Sequence, residues 1–172
     1  MKKLPLVGLV TGAVLFVVDQ ATKYGITDML RLDASSLGRE ITSFFTLRFV
    51  ANRGVSLGLL HADTEAMRWA LVALTAAIAV GVLVWMLREP NRQDQVALGL
   101  VLGGAVGNIL DRIRFGYVVD FADFHIGAWR PFLVFNVADA AITIGVLILL
   151  VRALLVRDKP RAGRASVENM NA

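Results

Sequence analysis

Two carboxylates in this 172-residue chain stand without a neutralising neighbour. Asp120 sits in Gly116-Tyr117-Val118-Val119-Asp120-Phe121-Ala122-Asp123, where the other charge is a further acid. Asp139 sits in Phe135-Asn136-Val137-Ala138-Asp139, with no basic residue in the helical turn that follows. If two carboxyls meet in apolar surroundings they cannot both ionise cheaply, so one stays protonated near neutrality. Such a pair supplies a general base and a general acid from one residue type, which is the chemistry of hydrolysis by activated water. Sharing a proton requires their oxygens to approach within about 3 Å.

Other polar residues fall at helical spacing. Asp19 and Lys23 are i and i+4, and can pair on one helix face. Asn108, Asp111 and Arg112 are i, i+3 and i+4, and Asn136 precedes Asp139 by three. Asp19–Lys23 and Asp111–Arg112 read as neutralised pairs that anchor helices. A Ser–Lys dyad of Lys23 with Ser43 or Ser56 is conceivable, but Asp19 keeps that lysine paired and protonated. His61 and His125 stand alone without ligand spacing and read as surface histidines. The chain has no cysteine, which removes thiol nucleophiles and thiolate metal sites. Gly103-Gly104-Ala105-Val106-Gly107 lacks the Lys-Ser/Thr ending of a phosphate loop. The expected chemistry therefore uses neither metal nor cofactor.

These groups must be positioned by membrane-spanning helices. Hydrophobic residues are 56% of the chain and charged ones 19%, with a mean hydropathy of +0.64. Soluble domains hold about 45–50% apolar residues and a quarter charged. Four stretches reach the roughly 20 apolar residues a span needs: Leu4–Thr27, Ala66–Leu87, Val96–Phe115 and Phe132–Val156. The first is no cleaved signal peptide, since no small-x-small site follows and the run continues through Asp19 and Lys23. The net charge of +4 gathers at span ends. Lys2 and Lys3, Arg88 and Arg92, and Arg152, Arg157, Lys159, Arg161 and Arg164 all fall on the face that carries both termini. By the positive-inside rule that face is cytoplasmic. Trp69, Trp85 and Trp129 lie near span ends, as interfacial aromatics do.

The chain thus reads as an all-α membrane protein with four transmembrane helices in a single unit, residues 1–156, followed by a polar cytoplasmic tail, 157–172. The outer loop, 28–65, is too long for a connector. Its Ile41–Val50 stretch is rich in β-branched and aromatic residues and predicts a small sheet on the membrane surface, with a turn at Asn52-Arg53-Gly54. Asp19 lies roughly 22 Å up a core about 30 Å thick, Asp111 at a similar height, and Asp139 roughly 10 Å below the outer start of span four. Three spans carry carboxylates at one level, and span two none. Gly99, Gly103 and Gly107 recur every fourth residue, with Gly104 beside them, and make span three the central helix. A helix continued past Phe115 would lift Asp120 roughly 13 Å above Asp111. The chain is therefore expected to break between Phe115 and Asp120, at Gly116, so that Asp120 faces Asp139.

In four blocks the sequence resembles bacterial lipoprotein signal peptidase (signal peptidase II). They are Asp19-Gln20-Ala21-Thr22-Lys23; Asn52-Arg53-Gly54; Gly107-Asn108-Ile109-Leu110-Asp111-Arg112 running on to Gly116-Tyr117-Val118-Val119-Asp120-Phe121; and Phe135-Asn136-Val137-Ala138-Asp139. The resemblance implies an extracytoplasmic β-cradle in loop 28–65. It also implies an aspartic endopeptidase of the bacterial inner membrane that cuts prolipoproteins before a diacylglyceryl-modified cysteine. It puts Asp120 and Asp139 on the catalytic aspartates. Asn52, Gly54, Asn108, Arg112 and Asn136 fall on substrate-pocket positions, and Asp19, Lys23 and Asp111 on supporting ones. Its implied partners are the lipid-modified prolipoprotein, membrane phospholipid and a cyclic-peptide inhibitor in the same pocket. The run Ser56-Leu57-Gly58-Leu59 departs from the family's small-Phe-Ser-Phe, and Ala140 stands where serine is common. The rival reading is a small four-span proton-coupled transporter, which needs carboxylates spread across the membrane. A structural or lipid-binding role comes third.

Overall fold

The computed structural model describes residues 4–54 and 64–155. Ser56 to Leu59, His61 and the tail 157–172 lie outside them. The described residues form α1 (Leu6–Tyr24), β1 (Arg39–Thr42), β2 (Phe45–Asn52), α2 (Glu65–Met86), α3 (Arg92–Phe115), β3 (Val118–Phe124) and α4 (Val137–Leu155). A π-helical turn, Gly25–Met29, carries α1 onward. The four helices are long and apolar enough to cross a membrane, counting α1 through Met29. The protein is a mostly helical membrane protein.

Hydrophobicity is turned outward. Val10, Val14, Val17 and Val18 of α1 are exposed, while its buried residues are Gly8, Gly12, Asp19 and Lys23. Lipid replaces the hydrophobic drive that would bury valine in water, so the interior is left to small and polar groups. Helix α3 is the central one: 56% of its most apolar stretch is buried, against 17–22% in the other three. Its glycines serve two neighbours. A Cβ at Gly99 would collide with the carbonyl of Gly8, and one at Gly103 with that of Gly12, so these two admit α1. A Cβ at Gly104 would lie 2.6 Å from the carbonyl of Ala138, on α4. Gly103→Val should therefore push α1 away and cost about 1–3 kcal/mol. Gly81→Ala, with open space around it, should be neutral or slightly stabilising. Thermal unfolding in detergent would separate the two, and equal midpoints would remove the close-packing account.

Caps set the helix ends. The side chain of Thr64 accepts from the Met67 amide at the start of α2, and that of Asn91 from Gln93 and Asp94 at the start of α3. Helix α3 ends at Gly116, whose φ of +82° is left-handed, and its amide donates to the carbonyl of Arg112. The expected break at Gly116 is present. The chain then enters β3, the third strand of an antiparallel sheet ordered β1-β2-β3. The expected extended stretch 41–50 is a hairpin, Arg39–Asn52, turning at Ser43 and Phe44. Ile26, Phe121 and Ala122 form a small core beneath the sheet, packed by Leu32, Phe45, Leu47, Phe135 and Val137.

Two helix starts differ from expectation. Helix α3 begins at Arg92 rather than Val96, where the Asn91 side chain caps it. The fourth helix starts at Val137, not Phe132. Residues Phe132 to Asn136 are not helical, because Phe135 pairs with Ala122 as a bridge on the sheet: Phe135 N donates to Ala122 O at 3.2 Å and Ala122 N to Phe135 O at 2.8 Å. Asp139 is consequently in the first turn of α4 rather than about two turns down it.

Candidate active site

The sheet and the first turn of α4 converge on the two carboxylates. Asp120 is the third residue of β3 and pairs in register with Val50 of β2, while Asn52 pairs with Val118. Asn52 and Asp120 are thus diagonal neighbours on one face, and Asn52 Nδ2 donates to Asp120 Oδ2 at 2.9 Å. The other oxygen of Asp120 accepts from Asn136 Nδ2 at 2.7 Å.

Asn136 and Asp139 cap α4 reciprocally. Asp139 N donates to Asn136 Oδ1 at 2.9 Å, and Asn136 N to Asp139 Oδ2 at 3.3 Å. This is a capping box with Asp in place of Glu, so the positive end of the helix macrodipole faces the Asp139 carboxylate. Its second oxygen accepts from Asn108 Nδ2 at 2.8 Å. Asn136 therefore holds Asp120 with its side chain and Asp139 with its backbone. Helical spacing puts Asn136 and Asp139 on one face, but the capping role shows only once the helix start is known.

Beneath the carboxylates lies a buried ion triad. Lys23 Nζ is 2.8 Å from Asp19 Oδ2, 2.8 Å from Asp111 Oδ2 and 3.1 Å from Asn108 Oδ1. All three charged side chains are at most 5% exposed. The expected Asp19–Lys23 pair is present, whereas Asp111 pairs with Lys23 rather than with Arg112. Adjacent residues point about 100° apart around a helix, so Asp111 and Arg112 face different neighbours. With Lys23 held by two carboxylates and Asn108, it serves no Ser–Lys dyad with Ser43, and Ser56 is outside the described residues. Gly107 makes room, since a Cβ there would lie 2.5 Å from Asp19 Oδ2.

The triad reaches both candidate catalytic elements. Asp111 Oδ2 accepts from Val119 N at 3.2 Å, beside Asp120. Asp19 Oδ1 accepts from Ala138 N at 3.0 Å, beside Asp139. Gln20 was not singled out by spacing, yet its Nε2 donates to Asp19 Oδ2 and to Asp111 Oδ1, both at 3.1 Å. Its signal was position alone: it adjoins Asp19 and shares the turn that faces α3.

Arg112 Nη2 donates to the carbonyl of Gly54 at 3.3 Å, and Gly54 N to Asn52 Oδ1 at 3.1 Å, so the expected turn after β2 is tied to α3. Arg112 Nε is buried with no partner among the described residues. Asp123 does not add its charge to Asp120. The two are three apart on a strand, so their side chains leave opposite faces, and Asp123 pairs with Arg130 at 3.2 Å. Arg130 was missed because a turn, closed by Ile126 and Trp129, brings it back. His125 lies 3.0 Å from Thr46 Oγ1, away from both carboxylates.

Desolvation raises the Asp120 carboxyl from 3.8 to about 7, and the negative charge of Asp139 adds to the rise. Hydrogen bonds from Asn52 and Asn136 oppose it. An acid that holds its proton near neutrality thus sits next to a second carboxylate at a helix N-terminus. Beside Asp139 opens an apolar groove of about 510 Å³, walled by Phe132, Leu133, Phe135, Ile142 and Ile144. It can take lipid-like or apolar peptide groups.

The model of a family described as signal peptidase (SPase) II matches residues 11–155. A lipoprotein signal peptidase of Rhizorhabdus wittichii is 55% identical over 165 residues, covering 96% of this chain and 93% of that protein. One from Sphingopyxis alaskensis is 53% identical, covering 94% and 91%. Among solved structures, a bacterial membrane enzyme determined by the in meso method at 2.3 Å resolution superposes with a TM-score of 0.75 at 27% identity, covering 91% of this chain and 93% of that one.

Proposed function

Because the chain belongs to the signal peptidase II family and is a multi-pass bacterial membrane peptidase, we propose that it is an aspartic endopeptidase of the inner membrane that cuts prolipoproteins on the N-terminal side of a diacylglyceryl-modified cysteine. The observation that carries this reading is the pairing of Asp120 and Asp139 through one residue, Asn136. Asp139 takes a proton from water, which attacks the scissile carbonyl carbon. Asp120, protonated, polarises the carbonyl oxygen by a hydrogen bond and gives that same proton to the leaving amine as the C–N bond breaks, and the proton taken from water stays on Asp139 until the pair re-equilibrates. Asn52, Gly54, Asn108, Arg112 and Asn136 form the pocket for substrate backbone, and Arg112 orients peptide or lipid carbonyls. A cyclic peptide that mimics the scissile region would compete in the same pocket. The groove beside Asp139 suits the diacylglyceryl chains. Asp19, Lys23 and Asp111 support the site from below. Clustering of the carboxylates at one end of the bundle disfavours a proton-coupled transporter, which must open alternately to both sides.

The test is cleavage of a synthetic diacylglyceryl prolipoprotein by the purified full-length protein. A single new N-terminus at the lipidated cysteine is expected. No cleavage, or cleavage independent of the diacylglyceryl group, would count against the assignment.

The pH dependence has a definite sign. With Asp120 near 7, kcat/KM should fall as pH rises through 7, because the donor proton is lost. Stability moves the same way. Between about 4 and 7 the folded state holds a proton that the unfolded state has released, so this group destabilises the fold progressively as pH rises through that window. Asp120→Asn should abolish this contribution. If the variant and the parent lose stability equally between pH 5 and 8, the raised carboxyl is elsewhere.

Orientation follows from the basic clusters. Reporters after Ala172 and near Arg92 should read as cytoplasmic and one near Ser36 as external. A C-terminal tag reachable from outside alone would invert the topology and place the site on the wrong side for exported precursors.

A further inference from the structure

At the end of the bundle farthest from Asp120, the start of α1 and the α2–α3 connection enclose a groove of about 850 Å³. Its apolar walls are Leu4, 67% exposed, Leu6, 64% exposed, Val7, Leu87 and Pro90, and Glu89 and Gln95 line it as well. Arg88 and Arg92 line it and are exposed, and neither makes an ion pair among the described residues. Nearby acids are engaged. Glu89 Oε1 accepts from Asn91 N at 3.0 Å, and Asp94 pairs with Arg152, which also bonds Gln93. The groove is therefore an apolar trough whose two guanidinium groups make no ion pair among the described residues, at the ends of the apolar helices.

We infer that this groove holds an anionic phospholipid, with acyl chain against Leu4, Leu6 and Val7 and phosphate on Arg88 and Arg92. Charge selects the occupant. The residues preceding Leu4 include Lys2 and Lys3, which would add positive charge rather than neutralise it. A second copy of the chain would bring the same two arginines into opposition. An anionic amphiphile answers both the trough and the charge, and basic pockets between membrane helices on the cytoplasmic side take such headgroups. Guanidinium can bind phosphate oxygens bidentately, which a zwitterionic lipid offers with its own cation in competition. The lipid would bridge α1 to the α2–α3 connection where Gly8 packs on Met86.

Native mass spectrometry of the full chain released from nanodiscs of equimolar phosphatidylcholine and phosphatidylglycerol tests this without reference to peptidase activity. One phosphatidylglycerol should be retained over phosphatidylcholine by about an order of magnitude. Arg88→Gln with Arg92→Gln should bring the ratio close to one. Arg114→Gln, an exposed arginine at the other end of α3, should leave it unchanged. Equal retention of the two lipids, a preference that survives the double substitution, an equal loss in Arg114→Gln, or a dimer in place of the lipid adduct would each overturn the assignment. Intact cleavage with no retained lipid would refute this inference and leave the peptidase reading standing.

Discussion

Asp139→Asn and Asp120→Asn are each expected to reduce cleavage by about 10²–10⁴-fold or more, the range supplied by a positioned general acid or base. Both substitutions preserve size. Asn at 139 still offers one oxygen to Asn136 N or Asn108 Nδ2, so a single hydrogen bond is lost, at a cost of about 1 kcal/mol. The folded fraction should therefore change far less than turnover. The discriminating experiment measures rate and thermal midpoint on the same preparations. A variant at either position with near-parental turnover removes the dyad. One that loses activity only in step with folding reduces the residue to a structural role. Substituting the pair together should cost little more than either alone, since base and acid act in one step.

The second large effect is expected at Lys23. Lys23→Met leaves Asp19 and Asp111 facing each other in a buried site without a cation, and breaking a buried pair in this way costs about 3–5 kcal/mol. Asp19→Asn is milder. Viewed as an isolated i, i+4 pair, Asp19→Asn would strand Lys23 near hydrocarbon. In the folded bundle Lys23 keeps Asp111 at 2.8 Å, and removing Asp19 leaves a neutral pair. Expression and unfolding midpoints of the two variants should differ clearly, with Lys23→Met the weaker. Equal loss in both would mean that Asp19 carries the anchoring through Ala138 N rather than through charge. Lys23→Met that folded normally would show that one carboxyl of the triad is protonated.

Helix number, the central place of α3 and the break at Gly116 were legible, because each rests on a local rule: span length, small residues at fourfold spacing, and a glycine able to adopt positive φ. The clustering of Asp19, Lys23, Asp111 and Asp139 followed from equal depth on different spans. What escaped is what depends on pairing across distance. Lys23 takes Asp111 as a second partner beside Asp19, its neighbour in sequence, and leaves Arg112 to the turn after β2. Asp123 reads as a like charge beside Asp120 until the strand's alternation sends it to the other face, where it meets Arg130. Phe132 to Phe135 has the composition of a span, and only its bridge to Ala122 keeps it out of α4. Once Val137 is the helix start, Asn136-Val137-Ala138-Asp139 becomes a capping box, and that motif aims Asp139.

The ion triad also has a consequence for synthesis. Asp19 and Lys23 enter the bilayer on the first helix made, and their i, i+4 spacing lets them neutralise each other while the rest of the chain is still on the ribosome. Asp111 arrives two helices later and finds its cation waiting. Ala138, which caps the arrangement through Asp19, arrives last. A chain halted before the fourth helix holds Asp120 but lacks Asp139 and the Asn136 that braces Asp120. On this account hydrolytic competence is withheld until insertion is finished, and an unfinished nascent chain has no means of cutting its neighbours.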